Sequence, residues 1–269
     1  MMNRKILFWP LAAVLLKACE KGLDVGVDGI STDGGQVANS LLQVRTRAGG
    51  SVADEATVSY PVTVYVFRGD ECKAVQTIGD EGQTLNVPLV EGTYSVYAVG
   101  GASTEDYELP SASNALTTSA IALKEGHEHG DLMTASATAT LTDGGTNTVT
   151  LGMTRKTMLI QYVTIKKIPT AATAVSVTIA PLWQSLTVSG TYSTTNGSST
   201  IALTKQEDRR TWQNAASVYL LPPSSQPASV SVNITIGGMT KTYTYSCSDQ
   251  LEAGYSFCKW LVCRWLDVK

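Results

Sequence analysis

VSVNITIGGMTKTYTYSC, residues 230–247, decides the fold. Val230, Val232, Ile234 and Ile236 alternate with small polar residues, the two-residue period of a strand with one buried face. Gly237-Gly238 is a pair that a tight hairpin turn favours, and Thr240 to Cys247 returns as the partner strand.

The same grammar runs outward from this hairpin. Ala135, Ala137, Ala139 and Leu141 alternate with Ser and Thr, and Asp143-Gly144-Gly145 turns the chain into Val149, Leu151 and Met153. Met158 to Ile168 reads as a long strand stopped by Pro169, and Val175, Val177 and Ile179 follow before Pro181. Leu186 to Tyr192, Ile201 to Lys205 and Val218 to Leu221 are shorter strand candidates. In the first half, Val62, Val64 and Val66 of VTVYVF take one face while Thr63, Tyr65 and Phe67 take the other. Both faces are largely apolar, which predicts a central strand covered on two sides. Arg68 to Glu71 is turn-like, Lys73 to Ile78 returns, Leu85, Val87 and Leu89 alternate, and Thr93 to Val99 follows the turn at Glu91-Gly92. Further upstream, Leu42, Val44 and Thr46 alternate with Gln43, Arg45 and Arg47, a short half-buried strand.

Almost no window places apolar residues at helical spacing, so the text is that of an all-β sandwich protein. Tyr107 to Lys124 is weaker, and EGHEHG at 125–130 is polar and patternless. We place a boundary there, which predicts an N-terminal sandwich domain over 41–129 and a C-terminal one over 130–269. Phe257 to Lys269 (FCKWLVCRWLDVK) departs from the Ser/Thr/Val style of the rest. It reads either as a final core strand or as an altered tail.

The N-terminus carries a different signal. Arg4 and Lys5 precede ILFWPLAAVLL at 6–16, an uncharged run too short to span a bilayer. With Ala18 as the small residue before the cut, residues 1–18 read as a secretory signal peptide. Leu16-Lys17-Ala18-Cys19 also resembles the lipobox of bacterial lipoproteins, in which the cysteine is acylated and becomes the mature N-terminus. The alternative is an ordinary signal peptide that happens to be followed by a cysteine. On the lipoprotein reading, covalent lipid on Cys19 tethers the body to a membrane, and the Gly- and Asp-rich stretch 19–40 is a flexible spacer.

Composition narrows the function classes. A chain of 269 residues with 43% hydrophobic and 16% charged residues is globular, and its net charge of -3 offers no basic field for nucleic acid. Five cysteines are present, at 19, 72, 247, 258 and 263, and their spacing matches no zinc pattern. A bridge among Cys247, Cys258 and Cys263 and free buried thiols are both open. His127 and His129, beside Glu128 and Asp131, could hold a metal but read better as a polar loop. A Cys72–His127 nucleophile pairing has no supporting motif. No phosphate loop, nucleophile elbow or zinc helix is present, so we expect no catalysis and no cofactor other than the lipid.

YPVTVYVF at 60–67, LVEGTYSVYAVGGA at 89–102 and GDLMTASATATL at 130–141 resemble fimbrial subunits of Bacteroidota, and most of all the FimB-type fimbrillin-associated anchor family of type V pili. NTVTLGMTRKTMLIQYVTIKKIP, VSVTIAPL, SGTY, the W-x-N at 212–214 and YLLP at 219–222 extend the resemblance over roughly residues 40 to 256. It implies two transthyretin-like β-sandwich domains, an outer-membrane lipoprotein, and assembly with other fimbrial subunits by strand exchange. In shaft subunits of that kind a protease removes the leading segment after an arginine, and here Arg47-Ala48 is the corresponding bond. Anchor subunits keep the first strand, and the anchor role is the expectation. The alternative is a monomeric surface lipoprotein binding glycan or host protein, with Trp183 and Trp212 as an aromatic platform.

Overall fold

Val62 to Phe67 are buried at every position, so their strand needs cover on both sides. The structure, a computed structural model, describes residues 38–49, 57–247 and 251–262, with the side chains of 257–262 excepted. Among the described residues there are strands and no helix. The strands are β1 (Ser40–Ala48), β2 (Val62–Arg68), β3 (Glu71–Ile78), β4 (Leu85–Leu89), β5 (Gly92–Gly100), β6 (Tyr107–Glu108), β7 (Ala120–Leu123), β8 (Met133–Leu141), β9 (Thr146–Arg155) and β10 (Met158–Lys166). They continue with β11 (Ala172–Leu182), β12 (Ser185–Thr187), β13 (Tyr192–Ser193), β14 (Gly197–Lys205), β15 (Trp212–Gln213), β16 (Val218–Leu220), β17 (Ala228–Ile236), β18 (Met239–Cys247) and β19 (Ser256–Val262).

The first sheet runs β3-β2-β5-β8-β9-β1-β4 and folds over on itself. β8 and β9 pair only at Met133↔Arg155 and Thr134↔Thr154. That corner divides a β3-β2-β5-β8 layer from a β9-β1-β4 layer. Val62, Val64 and Val66 of β2 meet Leu42 and Val44 of β1 and Val149, Leu151 and Met153 of β9 in the core between the layers. Tyr65 and Phe67, on the other face of β2, enter a separate cluster with Tyr107, Ile121, Leu132, Leu186, Val188 and Leu221. The two apolar faces of VTVYVF are therefore used by two cores. β8 and β9, read above as the opening of a second domain at residue 130, are hydrogen-bonded into the first sheet through β5 and β1. Turn chemistry at Asp143-Gly144-Gly145 announces the hairpin but carries no information about its outer partners.

Eight further strands form a second layered sheet, β16-β10-β15-β14-β11-β17-β18, with β19 added beside β10. Its core joins Ile160, Val163 and Ile165 of β10 to alternate residues of β11, β14 and β17. The opening hairpin pairs from Ala228↔Cys247 to Ile236↔Met239. Its turn residues Gly237 and Gly238 have φ of 57° and 81°, the left-handed pair that matches strand twist in a two-residue turn. The tail forms a strand, β19, parallel to β10 from Leu159↔Ser256 to Lys166↔Val262.

A third sheet, β13-β12-β7-β6, is built from both halves of the chain. β7 and β12 pair at Ala120↔Thr187, Ile121↔Leu186 and Ala122↔Ser185. Nearby, Asp131 accepts two bonds from Arg155, Nε to Oδ1 and Nη2 to Oδ2, both 2.6 Å, and a third from Ser59 Oγ at 3.1 Å. This paired charge sits at the corner where β9 hands over to β10, with Asp131 only 13% exposed.

His129 lies in the same junction. Its Nδ1 is 3.1 Å from the hydroxyl of Tyr107, which also accepts from Gly130 N at 3.1 Å, and its backbone bridges to Tyr219. Burial pushes the imidazole down from 6.5 to about 4. In that window the unfolded chain takes up a proton that the folded chain refuses. Stability therefore falls as pH drops from 6.5 towards 4 and is untouched by this group above 6.5. The full loss is on the order of 3 kcal/mol. His129→Gln should flatten this part of the pH dependence of the urea midpoint; the same slope in both proteins would contradict the assignment.

Candidate functional site

β1 precedes the six other strands of the first sheet in the chain and lies between two of them, and its sequence explains how it is held. Leu42 and Val44 point inward with no exposed surface, while Arg45 and Arg47 point to solvent. On one side β1 runs antiparallel to β4, from Ser40↔Leu89 to Val44↔Leu85. On the other it runs parallel to β9, from Leu41↔Thr146 to Ala48↔Met153. A parallel neighbour cannot be reached by a tight turn, so β1 is a strand laid into a slot.

Polar side chains lock the register. Ser40 Oγ donates to Thr142 O at 2.8 Å, and the Asn39 amide bonds Asp143 beside it. Gln43 spans the slot, its Nε2 donating to Asn86 Oδ1 and its Oε1 accepting from Thr148 Oγ1, both at 3.1 Å. Arg45 Nε donates to Thr84 Oγ1 at 3.0 Å, and the hydroxyls of Thr46 and Tyr60 are 3.0 Å apart. At the exit, Gly49 N donates to Met153 O at 2.8 Å. A Cβ on Gly49 would lie 2.7 Å from the carbonyl carbon of Gly152, so only glycine allows the chain to leave this closely.

Arg47 and Ala48 are exposed at the end of β1. β4 stops pairing at Val44, so among the described residues only β9 forms a backbone ladder with residues 45–48, whose other backbone edge is open. Ala18 and Cys19 lie outside the described residues.

The other residues singled out in the sequence are not brought into one site. His127 Nδ1 lies 2.8 Å from Asp106 Oδ1, whereas His129 turns to Tyr107. Among the described residues no group of three His, Cys, Asp or Glu side chains could hold a metal. The Cys72 thiol donates to Ala74 O at 3.5 Å, and burial raises its pKa, the wrong direction for a nucleophile. Cys247 is buried in the second core. Trp212 cannot be an exposed platform: it is 4% exposed in the same core, with the Lys205 ammonium 5.2 Å from its ring. Trp183 is half-buried and stacks on Tyr192, centroids 5.9 Å apart and planes 16° off parallel.

Sequence reading missed what Asn214 does. Its Oδ1 accepts from Val163 N at 2.7 Å, and its Nδ2 donates to Gln161 O at 3.3 Å. These bonds satisfy β10 over residues 161–163, between its ladder with β16, which ends at Ile160, and its ladder with β15, which begins at Thr164. The W-x-N text at 212–214 was the only cue.

No curated protein is significantly similar to the chain. Among solved structures, it resembles a candidate adhesin from Bacteroides ovatus at 12% identity, covering 78% of each chain with a TM-score of 0.57. It also resembles a candidate adhesin from Bacteroides thetaiotaomicron at 14% identity, with 78% of this chain and 81% of that one covered and a TM-score of 0.53. A candidate cell adhesion protein from Parabacteroides distasonis matches at 10% identity over 84% and 89%, with a TM-score of 0.53. At such identities the likeness is one of fold. The family model describing fimbrillin-A associated anchor proteins Mfa1 and Mfa2 matches residues 32–254, and the chain belongs to that family of fimbrial proteins.

Proposed function

We propose that this chain is the membrane-anchored accessory subunit of a fimbria and that it joins its neighbours by strand exchange. The single observation behind this reading is the slot that holds β1. Withdrawing β1 would open the apolar floor under Leu42 and Val44 and leave facing edges of β4 and β9 without a ladder. A strand from another subunit, apolar at alternate positions, would restore both. An anchor keeps its own β1 in the slot, and the lipid on Cys19 then stays connected to the body through residues 20–39. Cutting at Arg47-Ala48 would free the body from its lipid and convert it to a polymerising subunit. The open edge of residues 45–48 makes that bond reachable, so the choice between the two roles rests on whether it is cut.

N-terminal analysis of the mature protein separates the outcomes. An acylated, blocked Cys19 fits the anchor, and a free Ala48 would contradict it. Palmitate labelling should vanish in Cys19→Ala, and persistent labelling would end the lipoprotein reading.

The slot itself has an energetic signature. Leu42→Ala removes buried methyls with no room to collapse and should cost about 2–5 kcal/mol. Gln43→Ala, on the exposed face, should cost well under that, about 1 kcal/mol. Equal losses in denaturant unfolding would show that β1 is not held as described.

A further inference from the structure

The second layered sheet is not closed all round. Its two layers are joined where β14 meets β15, at Thr204↔Gln213 and Lys205↔Trp212. They meet again where Leu182 bridges Pro223 and Trp183 N donates to Pro222 O at 3.0 Å. Between these closures lies a cleft of about 640 Å3. Its walls are the consecutive runs 197–202 and 214–221, with the loop 127–129 at the rim. Side chains alternate along a strand, so a consecutive run can line a cleft only when the cleft meets the strand edge-on.

That edge has no partner. β14 pairs with β11 through Gly197 to Leu203, and among the described residues no strand pairs with its other side before Thr204. β16 has its ladder with β10 on one side, and among the described residues its only other backbone pairing is the bridge from Tyr219 to His129. The cleft is thus a seam held open by its two ends, with unpaired backbone groups along one wall. Its floor is apolar, formed by Leu182, Ile201 and Leu220.

We infer that this seam is a second strand-accepting site, taking an extended peptide that is apolar at alternate residues and uncharged or weakly cationic. Charge decides the last point. Glu128 is the one acidic side chain of the lining, no Lys or Arg lines it, and His127 faces Asp106. The occupant adds to β14 by main-chain hydrogen bonds and sets apolar side chains on the floor. The site is distinct from the β1 slot and stands whether or not β1 is exchanged.

A peptide with the text of residues 38–49, ANSLLQVRTRAG, has the required character, with alternating apolar residues and no acid. Its binding to the full-length protein in detergent can be followed by fluorescence anisotropy. Ala216 is exposed on the cleft wall, and Ala216→Trp should weaken binding about tenfold or more without changing the unfolding midpoint. Glu128→Lys should weaken it several-fold and reduce its salt dependence. Peptides N-methylated at alternate backbone nitrogens, in one of the two registers, should lose binding, because they cannot complete the ladder. Three results would overturn the inference: no binding at millimolar peptide, equal binding by both N-methylated peptides, or binding unchanged in Ala216→Trp. Retention of neutral oligosaccharides that Ala216→Trp abolishes, with no retention of peptide, would also overturn it and make the cleft a sugar site.

Discussion

Everything in the N-terminal half depends on filling the space between β4 and β9 with one strand. Those two strands lie two ladder spacings apart in the same layer, so neither can satisfy the other's backbone. Leu42 and Val44 complete the core beneath them, and Gln43 ties both neighbours on the outer face. The occupant has no sequence-local reason to be there, because its parallel partner β9 lies about a hundred residues away. Such a slot is held by chemistry that any strand of the right pattern could supply.

The two halves are joined more firmly than two beads on a string. β7 and β12 share a ladder across the junction, and Leu186, Val188 and Leu221 pack with Tyr65 and Phe67 in a common apolar cluster. Asp131 and Arg155 pair inside that joint, and His129 stays neutral there. The shared sheet couples the two halves through hydrogen bonds in place of a loose linker.

Much of this was legible in the sequence, and the limits have physical reasons. Period-two alternation located the strands because burial of one face leaves that mark in every strand. VTVYVF announced a strand covered on both sides, and Gly237-Gly238 announced its hairpin turn. Partner choice was not legible: ASATATL and NTVTLGM read as the start of a new domain, yet both strands belong to the first sheet. Alternation specifies which face is buried and is silent on which strand lies alongside. Trp212 read as a candidate platform for a similar reason, since composition cannot tell a core indole from a surface one. The cleft beside β14 leaves no mark in the sequence, because its walls come from separate segments of the chain and carry no motif.

In the intact chain β1 is a full member of the sandwich. Native-state hydrogen exchange on the full-length protein is the sharpest test of this. The β1 amides that bond to β4 and β9 should exchange as slowly as those of β2 and β5, through global unfolding. Exchange of β1 in minutes while β2 and β5 remain protected would show a frayed leading strand and contradict it.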